Sequence, residues 1–75
     1  MNASLSMLNP GQMGKVVSIK APSELKRRLV ALGFIRGANV SAVHSTLLGD
    51  PKSYQVCGSH ISLRNKEAEQ IIVEV

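Results

Sequence analysis

The sequence predicts a mainly-β domain: a small closed barrel of about five antiparallel strands, with one inserted α-helix and a short C-terminal helical turn. Three observations lead there. Short segments with alternating apolar residues recur along the 75-residue chain, while only one stretch, residues 23–32, carries helical spacing. Within 32–64, Leu32-Gly33-Phe34, Gly49-Asp50-Pro51 and Ile61-Ser62-Leu63-Arg64 sit at separations that fit a helix end, a loop tip and a strand. Read for chemistry, that same run holds almost nothing, which points to docking rather than catalysis.

Residues 1–10 read as an irregular lead-in whose leucines, Leu5 and Leu8, tuck under the barrel. Gly11 and Gly14 bracket a turn. Residues 15–20 then alternate, with Val17 and Ile19 predicted on one face and Ser18 and Lys20 on the other, as a half-buried strand does. Ala21-Pro22-Ser23-Glu24 starts the helix: proline stops the strand ladder, Ser23 is placed to cap, and Glu24 suits the positive end of the helix dipole. Leu25, Leu29 and Leu32 fall on one apolar stripe. Gly33 ends the helix as a left-handed cap and folds Phe34 back onto the stripe. Residues 38–45 alternate again, with Val40, Ala42 and His44 on one face. Strands follow at 54–57 and 59–64, with Gly58 between them as a bulge or sharp bend. Asn65 is placed to cap a helical turn over 66–69, and 71–75 closes the chain as a last strand. A closed barrel removes the exposed edges that an open sheet of these segments would leave.

Residues 1–75 make one domain. Such a chain buries only ~60–65% of the surface its unfolded form exposes. A core in this size range rarely supplies more than ~3–5 kcal/mol, and little volume is left for a deep substrate pocket. A single cysteine, Cys57, excludes an intramolecular disulfide and a cysteine-rich zinc site, and favours a reducing compartment. The N-terminus does not read as a signal peptide, and no apolar run approaches the ~20 residues that span a bilayer. A cytoplasmic location is expected. The net charge of +4 invites a nucleic-acid reading, but the basic residues are scattered apart from Lys26-Arg27-Arg28. Two aromatics, Phe34 and Tyr54, are too few for a base-stacking platform, so nucleic acid is not the expected partner.

Cys57-Gly58-Ser59-His60 has the spacing of a metal half-site. In a regular strand, however, residues three apart point to opposite faces, and two more ligands are needed. His44 joins only if its strand lies alongside. These three, His44, Cys57 and His60, are the weak metal candidates; no resident cofactor is expected, beyond transient Fe²⁺ or adventitious Zn²⁺. Asp50 in its turn reads as a side-chain-to-backbone stabiliser. Phosphate-loop spacings are absent, and nothing arranges nucleophile, base and orienting group, so the chain is not expected to be an enzyme. Leu47 and Leu48, just before Gly49-Asp50-Pro51, either seal the barrel end or form an apolar docking knob. Together with Lys26 and Arg27, the loop residues Leu47, Leu48, Gly49, Asp50 and Pro51 are the candidate partner-binding set. The basic helix residues read as a solvated face or as a patch for an acidic partner or anionic head groups.

The order Gly11-x-x-Gly14, Leu25-x-x-x-Leu29-x-x-Leu32-Gly33-Phe34, Gly37, Gly49-Asp50-Pro51, Gly58 and Ile61-Ser62-Leu63-Arg64 resembles the FeoA family over nearly the whole chain. Arg36 stands before Gly37 where that family often has proline. The resemblance implies an SH3-like barrel, similar to the C-terminal domain of metal-dependent iron repressors. It also implies a non-enzymatic accessory role in bacterial ferrous iron uptake, with the cytoplasmic part of the G-domain-containing membrane transporter as partner. A site at the inner face of the membrane, with weak contact to its anionic surface, fits that role; self-association is left open. Two other readings remain at this point: an SH3-like nucleic-acid-binding module, marked by salt-dependent binding, and a transition-metal-binding or sensing domain.

Overall fold

The alternating segments do form strands, and their pairing order shows how so short a chain encloses a core. The computed structural model describes residues 1–45 and 49–75. In chain order the elements are β1 (Asn2–Ser4), a 3₁₀ turn (Leu5–Met7), β2 (Met13–Ile19), α1 (Ser23–Ala31), β3 (Asn39–Ser45), β4 (Lys52–Val56), β5 (Ser59–Leu63), α2 (Asn65–Ala68) and β6 (Ile71–Glu74). The strands make one six-stranded sheet in the order β1-β6-β2-β3-β4-β5. Every neighbouring pair is antiparallel. The sheet curls so that Val16, Val40, Tyr54, Val56, Ile71 and Val73 face one shared interior.

The sixth strand was not anticipated. β1 pairs with β6 through Asn2↔Glu74, Ala3↔Val73 and Ser4↔Ile72. It carries no alternating apolar pattern, because its pairing is a backbone event. Leu5 and Leu8 are buried as expected, while Met7 between them is exposed. The barrel is also less closed than predicted. Among the described residues the end strands β1 and β5 do not pair, since β1 gives way after three residues to the turn that drives Leu5 inward. A polar tie crosses on that side instead, where Lys52 Nζ of β4 donates to the Ser6 carbonyl at 2.9 Å, while Ser4 Oγ donates to the Glu69 carbonyl, next to β6, at 3.0 Å.

In β2 the predicted inner face is half wrong. Val16 and Ile19 are buried, not Val17 and Ile19, because the β2–β6 register shifts between Val16 and Ser18. A bulge adds one residue and reverses the parity of alternation. A similar shift between Ala42 and Ser45 in β3 leaves Val40 and Ala42 inside and His44 exposed.

α1 starts at Ser23, but the capping position belongs to Pro22, whose carbonyl accepts from Lys26 N–H at 2.8 Å; the Ser23 hydroxyl caps nothing. The helix ends as predicted. Gly33 has φ of +113°, its N–H donates to the Val30 carbonyl at 3.0 Å, and Phe34 N–H donates back to the Leu29 carbonyl at 3.1 Å. This pair of bonds is the Schellman arrangement, and it satisfies carbonyls the helix end would leave free. Leu29 and Phe34 are fully buried and Leu25 packs against the core, whereas Leu32 stays 39% exposed. Burying each of Leu29 and Phe34 contributes roughly 1.5–3 kcal/mol. β4 and β5 meet in a two-residue hairpin turn, Cys57-Gly58, with both residues at positive φ. The final helical turn begins at Asn65 with Arg64 at the cap, so Asn65 is inside the turn rather than capping it.

Candidate functional site

The described part of the loop singled out in the sequence, residues 49–51, is anchored rather than free. Leu47 and Leu48 lie outside the described residues. Of the rest, Asp50 is exposed, and Gly49 and Pro51 are half-buried, with a cis peptide between Asp50 and Pro51. Asp50 Oδ1 accepts from Asn65 N–H at 2.9 Å, and Asn65 Nδ2 donates to the Gly49 carbonyl at 3.1 Å. Asp50 therefore ties its loop to the start of α2. Tyr54, on β4, is wholly buried, and its hydroxyl has no hydrogen-bond partner among the described residues. Burial pushes its phenol pKa up, and the Asp50 carboxylate adds to the rise.

The tie continues to the helix. Glu67, one turn along α2, forms an ion pair with Arg28 of α1 and also accepts from Arg64 N–H at 3.2 Å. Loop, α2 and the Arg28 side of α1 thus form one connected surface. Lys26 does not belong to it. At about 100° per residue, Lys26 and Arg28 lie about 200° apart around the helix. Arg27 and Arg28 line a groove with Pro22, Leu25 and Ala31, whereas Lys26 lines a different one against β2. The three consecutive cations are split between two sides of α1. Sequence reasoning does not single out Glu67, takes Asn65 only as a cap and takes Arg28 only as part of the basic run; the Arg64-x-x-Glu67 spacing is the available signal, since a carboxylate three residues after a cap position reaches back to it.

The metal candidates are dispersed. Cys57, at the hairpin turn, turns its thiol to the Gly33 carbonyl at 3.5 Å. His60 sits opposite Gln55 on the outer face of the β4–β5 pair. His44 lies on β3, with β4 between its strand and that of His60. Strand spacing of about 4.8 Å and a rise of about 3.3 Å per residue put the two histidine Cα atoms roughly 10 Å or more apart. His44 also shares a small cleft with Lys52, a cation. Among the described residues no group of three or more His, Cys, Asp and Glu side chains converges, and no helix is long and apolar enough to cross a membrane.

Comparison with known proteins accords with this geometry. The FeoA domain matches residues 3–75. A provisionally named Fe(2+) transport protein A of Campylobacter jejuni is 35% identical over 72 residues, covering 96% of this chain and 97% of that protein. A fusion of Fe(2+) transport protein A with the Fe(2+) transporter FeoB, from Porphyromonas gingivalis, is 30% identical over 71 residues; the match covers 95% of this chain but only 8% of the fusion. Among solved structures, FeoA from Chlorobium tepidum superposes with a TM-score of 0.90 at 36% identity, over 96% of this chain and 69% of that one. A zinc-complexed FeoA from Stenotrophomonas maltophilia, described as a prokaryotic SH3 domain protein, gives 0.84 at 32% identity over 95% and 88%. A manganese-dependent transcriptional repressor shares the fold alone, with a TM-score of 0.86 at 18% identity. With the family match spanning nearly its full length, the chain belongs to the FeoA domain family.

Proposed function

We propose that this chain is a non-enzymatic accessory protein of ferrous iron uptake that binds the cytoplasmic part of the membrane Fe²⁺ transporter. The observation that carries the reading is the natural fusion: in Porphyromonas gingivalis a domain 30% identical to this chain is joined to the transporter FeoB. Joining two modules in one chain raises their effective concentration to the millimolar range for a short linker, which is useful where the two must meet. The surface offered runs from Gly49, Asp50 and Pro51 across α2 to Arg27 and Arg28, and Lys26 lies apart from it on the other side of α1. Any effect on the transporter's GTP hydrolysis comes from a shift in its conformations, since the chain offers no catalytic group beyond charged side chains. The reading places the protein in the cytoplasm, at the inner face of the membrane through its partner. No resident cofactor is needed, and ferrous iron enters as the transporter's cargo.

The test is a binding titration of the purified cytoplasmic portion of the cognate transporter against wild type and Leu48→Asp. Weaker binding by the variant, with unchanged thermal stability, supports the loop as a contact. Equal binding removes it, and no binding by wild type removes the reading as a whole.

A further inference from the structure

Several large apolar side chains remain exposed among the described residues, and two of them, Val30 at 41% and Ile35 at 49%, border a single groove. The groove runs between α1 and β2, has a volume of about 360 Å³, and is floored by Val16, Val17, Ile19 and Phe34. Exposed aliphatic residues scattered singly need no explanation; grouped in a concavity, they do. The polar residues that line it are Ser18, Lys26 and Arg36, and no acidic side chain does. The ion pair among the described residues is Arg28–Glu67, on the other side of α1, so Lys26 and Arg36 have their charges available.

Such a site is complementary to apolar side chains flanked by carboxylates. Val30 and Ile35 provide walls, and the cations at the rim close over acidic groups as water leaves. A planar head-group surface meets the rim but cannot reach the floor, whereas side chains of a short helical or extended segment can. We infer that the α1–β2 groove docks an acidic–apolar segment of the transporter's cytoplasmic portion. The inference rests on the functional reading above and adds to it a second contact, separate from the loop-and-α2 surface.

The experiment uses the full chain and the purified cytoplasmic portion of the cognate transporter, with affinity read by calorimetry at two salt concentrations. The variants are Ile35→Asp and the double change Lys26→Glu with Arg36→Glu, all at exposed positions, each checked for an unchanged melting temperature. Both are expected to weaken binding about tenfold or more, and the double change also to flatten the salt dependence. In a parallel arm, wild type is spun down with phosphatidylglycerol-containing vesicles. If wild type binds the transporter portion and both variants bind it equally well, the groove assignment falls while the functional reading stands. If wild type does not bind at all, both fall. If the variants lose only vesicle binding, the occupant is the membrane and the protein-segment assignment is overturned.

Discussion

Replacing Tyr54 by phenylalanine should stabilise the protein. Tyr54 is the only tyrosine, is wholly buried, and carries a hydroxyl with no hydrogen-bond partner among the described residues. Leaving a buried hydroxyl unsatisfied costs about 1–3 kcal/mol, and Tyr54→Phe removes the hydroxyl while keeping the ring that fills the core. A gain of about 1–2 kcal/mol is expected, which in a domain this small raises the melting temperature by about 4–8 °C per kcal/mol. The effect has a pH signature. Burial first, and the Asp50 charge second, raise the phenol's pKa above its usual 10.0. The folded state therefore holds this proton where the unfolded chain has released it. Stability from this group is fully present below about pH 10 and is lost as pH rises from there toward the native pKa, with a slope of at most about 1.4 kcal/mol per pH unit. Urea unfolding of both proteins at pH 7 and at several points above pH 10 measures the difference, and subtraction cancels the lysines. A loss of 2 kcal/mol or more in Tyr54→Phe at pH 7 would show that the hydroxyl has a partner, and would refute the reasoning.

Other substitutions test the helix and its attachments. Leu29→Ala, at a fully buried position, should cost about 2–5 kcal/mol, enough to leave much of the population unfolded by circular dichroism at 25 °C. Gly33→Ala should cost about 1–2 kcal/mol by urea unfolding, because φ of +113° disfavours a side chain; the new Cβ would meet Cys57 Sγ at 3.4 Å, an ordinary contact, so the backbone conformation carries the cost. Arg28→Ala should cost less than about 1 kcal/mol and nothing measurable at high salt, since its side chain is 59% exposed. Glu67→Ala should cost more than Arg28→Ala in the same assay, because the carboxylate also holds Arg64 N–H.

Much of the fold was legible because local rules and tertiary demands agreed. The stripe of Leu25 and Leu29, the glycine after Leu32 and the apolar Phe34 all served one helix packed on one core, and the cap formed as their spacing implied. Legibility failed where backbone pairing acted without a side-chain pattern. β1 is held by its register with β6, which no composition encodes. The bulge after Val16 exchanges one valine for its neighbour on the inner face, and two adjacent valines give a sequence reader no means to choose. Asn65 looked like a cap because its side chain can serve as one; here the loop at Gly49 claims it instead.

The surface was harder to read than the core for a geometric reason that also bears on how the protein docks. Adjacency in sequence is a poor guide on a helix, where each step turns the side chain by about 100°. Lys26-Arg27-Arg28 reads as one basic patch, yet α1 sends Lys26 to the β2 groove and Arg27 and Arg28 to the other side, where Glu67 already offsets one charge. Conversely, Lys26 and Arg36 are ten positions apart and line the same groove. The helix therefore separates two surfaces of different character: one anchored through Asn65 and Glu67, with its charge partly neutralised, and one apolar and uniformly cationic. A partner touching only the first should show weak salt dependence, because little net charge is released there. Strong salt dependence carried by Lys26 and Arg36 requires the second.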